Sequence, residues 1–176
     1  MKRHWFFLLV VLAVGLFSGC EQPSREPVLA TTRDVNPASP MAANPRLKTL
    51  KLYLGTKEIT AELATTVNEI QTGMMFRTNI LDSEGMLFVF NKPFQASFWM
   101  RNTLIPLAGA YIDPEGTILE VVQMKAKDET PIVAATDRVQ YVLEMREGWF
   151  ERNGVAPGAV LRTERGSLED TFFGRR

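Results

Sequence analysis

Arg101-Asn102-Thr103 is the densest group of chemistry-bearing side chains in this 176-residue chain, placed after the aromatic pair Phe98-Trp99 and before Ile105-Pro106. A guanidinium recognises anions, and an amide and a hydroxyl orient a ligand, so the trio at a strand end suits small-molecule recognition. The competing reading is local: Asn and Thr satisfy loop backbone groups, and Arg pairs with a nearby carboxylate. Trp99 offers a stacking platform for a sugar or ring; core packing is the alternative, since neighbours on a strand point to opposite faces. Arg77 either faces the same cleft or favours the C-terminus of a preceding helix through the macrodipole, and the second reading is preferred.

Asp113 and Glu144 are the carboxylates best placed for acid–base work, which needs two carboxyls at a fixed spacing in unequal environments. Asp113 opens Asp113-Pro114-Glu115-Gly116, the residue order of a type I turn, and the turn explains it. Glu144 shares a strand face with Val142 and Arg146, so it is expected to be partly buried and paired with Arg101 or Arg77. Arg101, Asn102 and Glu144 are expected close together at one end of a sheet.

Other chemistry is excluded by composition. Cys20 is the only cysteine and His4 the only histidine. Both fall in or beside an N-terminal segment that reads as a secretory signal peptide: Lys2-Arg3, an apolar run from Trp5 to Phe17, then Ser18-Gly19-Cys20. The run has 13 residues, short of the roughly 20 that a transmembrane helix needs. Cysteine directly after Ser18-Gly19 resembles a bacterial lipoprotein signal, with Cys20 lipidated as the first mature residue. Palmitate-type acylation would anchor the chain in the cell envelope, and Glu21 in place of Asp points to the periplasmic face of the outer membrane. The mature domain then carries no imidazole and no free thiol. That excludes Ser-His-Asp and Cys-His catalysis, His- or Cys-ligated zinc and an internal disulfide. Removing residues 1–19 lowers Lys plus Arg from 20 to 18 against 20 Asp plus Glu. Nothing in that balance favours nucleic acid, which needs a basic face.

Residues 20–48 read as the lipidated cysteine and a Pro-rich tether, with five of the ten prolines between Glu21 and Arg46. Residues 49–165 form one globular domain, and 166–176 a charged, frayed tail whose Phe172-Phe173 could dock back. Leu50, Leu52 and Leu54 alternate with polar positions, as do Ile59, Ala61 and Leu63, around Gly55-Thr56-Lys57, which predicts a hairpin. Thr66 and Glu69 form a capping box that opens a short helix burying Val67, Ile70 and Met74. Gly85–Phe90 is apolar throughout, as a strand covered on both faces should be. Asn91-Lys92-Pro93 predicts a turn. Strands follow at Ser97–Met100, Leu107–Ile112, Thr117–Met124 and Tyr141–Met145, and Val160-Leu161 closes the domain. The fold class is α+β, mostly β: a small curled antiparallel sheet or barrel with one main short helix.

Six methionines, Met74, Met75, Met86, Met100, Met124 and Met145, lie in the domain. Thioethers select Cu(I), but no tight Met-x-x-Met spacing appears, and core packing is the expectation. No cofactor and no metal are expected.

Gly73-Met74-Met75-Phe76-Arg77, Gly85–Phe90, Ser97-Phe98-Trp99-Met100-Arg101-Asn102-Thr103-Leu104-Ile105-Pro106-Leu107, Tyr111-Ile112-Asp113 and Tyr141-Val142-Leu143-Glu144, with a later Gly148, carry a resemblance. Together, from about Leu50 to about Arg162, they resemble domain-of-unknown-function family 192, bacterial and archaeal and often found behind signal peptides. The resemblance implies a small β-rich fold and supplies no established activity. Where the family carries an aspartate after Ile105-Pro106-Leu107, this chain has Ala108, followed by Gly109.

The function expected is a non-catalytic binding or accessory module for a small polar or anionic ligand or an envelope glycan. The alternatives are a carboxylate-dependent hydrolase of an envelope polymer, using Glu144 and Asp113, and a protein-docking accessory subunit.

Overall fold

The structure, a computed structural model, describes residues 42–174. The expectations for the signal peptide, for Cys20 and for most of the tether lie outside the described residues. Strand β1 (Thr49–Leu54) buries Leu50, Leu52 and Leu54 and pairs antiparallel with β2 (Lys57–Ala64) across the Gly55 turn. Helix α1 (Val67–Thr72) begins at the Thr66/Glu69 capping box, with both reciprocal bonds made. It is the crossover that a parallel pair requires, because β3 (Glu84–Phe94) pairs parallel with β2. Val67, expected inside, is 69% exposed. At the first helical position it stands on the solvent side, while Met74 and Met75, just past the Gly73 cap, carry the burial.

The predicted turn at Asn91-Lys92-Pro93 is absent: β3 runs on to Phe94. Val89 faces Tyr141 and Phe94 faces Val139, so the extra β3 residues bulge outward, where proline's missing N–H leaves no unpaired donor. Next come β4 (Ser97–Phe98), β5 (Leu107–Ile112), β6 (Ile118–Met124), β7 (Ile132–Val133) and β8 (Val139–Arg146). The strand predicted over Ser97–Met100 shortens to two residues, because its only partner is the equally short β7. Helix α2 (Trp149–Arg152) buries Trp149 and Phe150, and β9 (Leu161–Thr163) pairs with β1.

The main sheet has the order β6-β5-β8-β3-β2-β1-β9. It curls into a half-barrel, and Thr117 bridges Val160 to bring the region of one edge strand to that of the other. One apolar cluster contains Leu52, Ile59, Leu87, Leu143 and Trp149. The other contains Met74, Met86, Phe88, Met100, Tyr111 and Met124. Strand alternation divides β3, β5 and β8 between the two clusters, so their long apolar runs are covered on both faces.

Both ends of the domain extend further than the sequence suggested. Asn44 donates its side-chain amide to the carbonyls of Glu69 and Gly73 at the end of α1, and the Leu47 N–H donates to Glu62. The described part of the tail, to residue 174, is ordered: α3 (Leu168–Phe172) is capped by Ser167, fully buries Leu168, and sets Phe172 and Phe173 near the Tyr141 ring. Leu168→Ala should therefore cost about 2–5 kcal/mol in urea unfolding. A change below about 0.5 kcal/mol would mean that the tail contributes nothing.

Candidate functional site

The second cluster's face of the sheet is where the predicted residues must be judged. Across the central strands, Glu144 on β8 faces Gly109 on β5 and Met86 on β3, Met86 faces Glu62 on β2, and Gly109 faces Val122 on β6. Paired residues share a face, so Glu62, Met86, Glu144, Gly109 and Val122 form one row. Val142, Phe88 and Tyr111 form the next row on the same side.

Glu144 is 4% exposed, its Oε2 has no hydrogen-bond partner, and no ion pair reaches it among the described residues. The expected arginine compensation is not there. Arg77 pairs instead with Glu62 at 3.0 Å, one strand beyond Met86, where the charges are nearer solvent. Arg77 therefore braces the edge of this face rather than the end of α1. Without an opposite charge, burial alone pushes the Glu144 carboxyl up from 4.5 to about 8. Tyr111 is also raised, by burial first and then by the negative charges of Glu120 and Glu144; its hydroxyl donates to the Ile132 carbonyl at 2.6 Å.

Asp113 is elsewhere. It lies beyond the end of β5, four residues from Gly109, roughly 13 Å along an extended strand. Its backbone and carboxylate close the predicted turn, bonding the Gly116 and Thr117 N–H groups, and Arg138 pairs with it at 3.2 Å. Glu144 and Asp113 thus have different tasks on the same sheet.

The Trp99–Thr103 loop covers one end of the Met86 face, with Met100 anchored in that cluster. Its backbone is pinned on two sides. The Phe76 N–H donates to the Asn102 carbonyl at 2.8 Å, and the Lys127 N–H donates to the Thr103 carbonyl at 3.0 Å. Phe76, Asn102 and Lys127 are the non-glycine residues with positive φ among those described. A left-handed conformation costs about 1–2 kcal/mol for residues other than Gly, least for Asn, and all three instances meet at this loop. Thr103 is buried and its hydroxyl bonds the Arg101 carbonyl, so its role is to hold the loop.

Arg101 has no carboxylate partner among the described residues; its guanidinium lies 5.4 Å from the centre of the Trp99 ring, a cation–π contact. Trp99 is 45% exposed, whereas Phe98 turns inward against Phe88 and Tyr111. The loop therefore presents the Trp99 indole outward with the Arg101 guanidinium over it, turns Met100 and Thr103 inward, and leaves Asn102 half-buried. Arg101 and Glu144 are not paired: one lies over the exposed Trp99 ring, the other is buried on the sheet opposite Met86 and Gly109.

Sequence reasoning missed the gathering of Met74, Met86, Met100 and Met124 in one cluster with Glu144's neighbours. They come from four separate segments, and no local spacing signals it. Ala108, in place of the family's aspartate, faces Met145 and belongs to the opposite cluster. The departure therefore removes a carboxylate from the far side of the sheet and leaves the Glu144 face intact.

The raised Glu144 carboxyl sets a pH dependence. Between the unfolded value of 4.5 and the folded value of about 8, the folded chain keeps a proton that the unfolded chain has released. Stability from this group is complete below 4.5, falls as pH rises, and levels off above about 8. Glu144→Gln should flatten that dependence, shifting the comparison in its favour by on the order of a few kcal/mol between about pH 5 and pH 8. Parallel slopes for the two proteins in urea unfolding would contradict it.

Comparison with known proteins agrees with this fold. A Sinorhizobium meliloti 1021 protein described as a candidate transcription regulator is 30% identical, with a TM-score of 0.65 over 69% of this chain and 98% of its own. A protein of unknown function from Novosphingobium aromaticivorans DSM 12444 is 35% identical, with a TM-score of 0.64 over 74% of this chain and 98% of its own. No curated protein matches the sequence. The family described as DUF192, an uncharacterised ACR, matches residues 50–163, from the first strand to the last, and this chain belongs to it.

Proposed function

We propose that this chain is a lipid-anchored envelope protein whose domain binds a small anionic ligand or an anionic glycan through Trp99, Arg101 and Asn102, without catalysis. The observation that carries the reading is the Arg101 guanidinium, without a carboxylate partner among the described residues, laid over an exposed Trp99 on a loop whose backbone is fixed from both sides. An aromatic face takes the apolar face of a sugar ring, the guanidinium takes a carboxylate or phosphate, and the amide orients a hydroxyl. Pinning the loop lowers the ordering cost of binding, since little backbone freedom remains to be lost. The carboxylates support binding rather than hydrolysis. Asp113 is held by its turn and Arg138, and among the described residues Glu144 is buried facing Met86 and Gly109 rather than a second acid. The anchor is Cys20 after Ser18-Gly19, and the Pro-rich segment that follows would hold the domain off the bilayer.

Two measurements test this reading. Trp149 is buried at 3% exposure, so in a chain without its signal peptide Trp99 dominates any ligand-sensitive change in fluorescence. Titration with soluble peptidoglycan fragments should quench that signal; calorimetry, which does not rely on Trp99, should show Trp99→Ala or Arg101→Ala weakening binding about tenfold or more, with Glu144→Gln much milder. No quenching, or equal affinity in all three variants, would sink the binding reading. Separately, Cys20→Ser should release the protein from the detergent phase; unchanged partitioning and cleavage would sink the anchor.

A further inference from the structure

Glu144 and the methionines around it make a site that the outward-facing Trp99 and Arg101 do not use. Glu144 projects from the middle of the sheet toward the second cluster, as its neighbour Val142 and its partner Met86 do. Its other partner is Gly109, and a Cβ placed there would meet the Met124 sulfur at 3.0 Å. The Met124 thioether therefore occupies the space that a side chain at position 109 would fill, directly across from Glu144. Directly opposed positions on paired strands have Cβ atoms about 4.5–5.5 Å apart. Met86 on one side and the Met124 sulfur on the other thus both lie within side-chain reach of the Glu144 carboxyl. Met74 and Met100 belong to the same cluster. The carboxyl is 4% exposed, and its Oε2 has no hydrogen-bond partner among the described residues.

We propose that Glu144, Met86 and Met124, with Met74 or Met100 completing the set, bind a soft monovalent cation of the Cu(I)/Ag(I) class. Thioethers are poor ligands for hard cations and good ones for Cu(I) and Ag(I). A monovalent ion that displaces the Glu144 proton to solvent leaves the buried site neutral, whereas a divalent ion would leave a net charge in an apolar setting. Among the described residues no three His, Cys, Asp or Glu side chains gather, so the usual zinc or calcium donor sets are not available here. Gly109 is the small residue that admits the Met124 sulfur beside the carboxyl.

The test uses the chain from residue 20 onward carrying Cys20→Ser, so that no thiol or imidazole competes; its described residues lie within the compact unit 37–176. Ag(I), which needs no reductant, is titrated in and read by native mass spectrometry and by competition with a thioether chelator. One Ag(I) per chain is expected. Met86→Leu, Met124→Leu and Glu144→Gln should each weaken binding by about tenfold or more. These swaps conserve volume and so keep the core packed. Met145→Leu, on the opposite face in the other cluster, should bind as the parent does. The proposal is overturned if no Ag(I) is retained, if the three variants bind as the parent does, or if Met145→Leu loses binding equally.

Discussion

The structure depends on a carboxyl group placed where an ionised one is hard to accommodate. Glu144 sits on β8, between β3 and β5, in the middle of a seven-stranded sheet. Burial with no opposite charge pushes it up to about 8, so at neutral pH its stable form is the neutral acid. Neutrality lets the Met86 face pack as an apolar surface. The charge that does exist on this row is held at its margin, where Arg77 pairs with Glu62. Native proteins hydrogen-bond nearly all buried polar atoms, so an unpartnered Oε2 inside a central strand marks a place where the fold gives up stability for something else.

The strain on the loop above has the same character. Left-handed Phe76, Asn102 and Lys127 converge where the 73–77, 100–103 and 125–128 segments exchange backbone hydrogen bonds. Such strain persists only when the surroundings over-determine it. Here it turns Trp99 and Arg101 outward while Met100 stays in the cluster. One short loop thus closes the apolar face and forms the outer recognition surface, so the two sites are adjacent and chemically distinct.

Much of the framework was legible because its signals are local. The alternation in β1 and β2, the Thr66/Glu69 capping box and the Asp113–Gly116 turn are each set by residues within a few positions of one another. The errors are non-local. Asn91-Lys92-Pro93 has turn chemistry but is a bulge, because β8 continues to pair beyond it at Val139. The tail reads as frayed by charge, yet Leu168 finds a place in the core. Glu144 was expected to be partly buried and paired with an arginine; it is fully buried, and Arg77 was drawn to Glu62 instead, two strands away from β8. The outward turn of Trp99 was one of two alternatives open in the sequence. The meeting of four methionines was invisible, because each comes from a different segment and only the curled sheet brings them together.

The apolar Met86 face depends most directly on the protonation state of Glu144. Selective carbon-13 labelling of glutamate, with the Glu144 resonance assigned by its loss in Glu144→Gln, allows its carboxyl shift to be followed by NMR across the pH range in which the domain is folded. The account expects a single titration centred near 8. A midpoint near the ordinary value of 4.5 would show that the carboxyl is solvated or paired in solution, and would contradict both the neutral acid and the apolar face built around it.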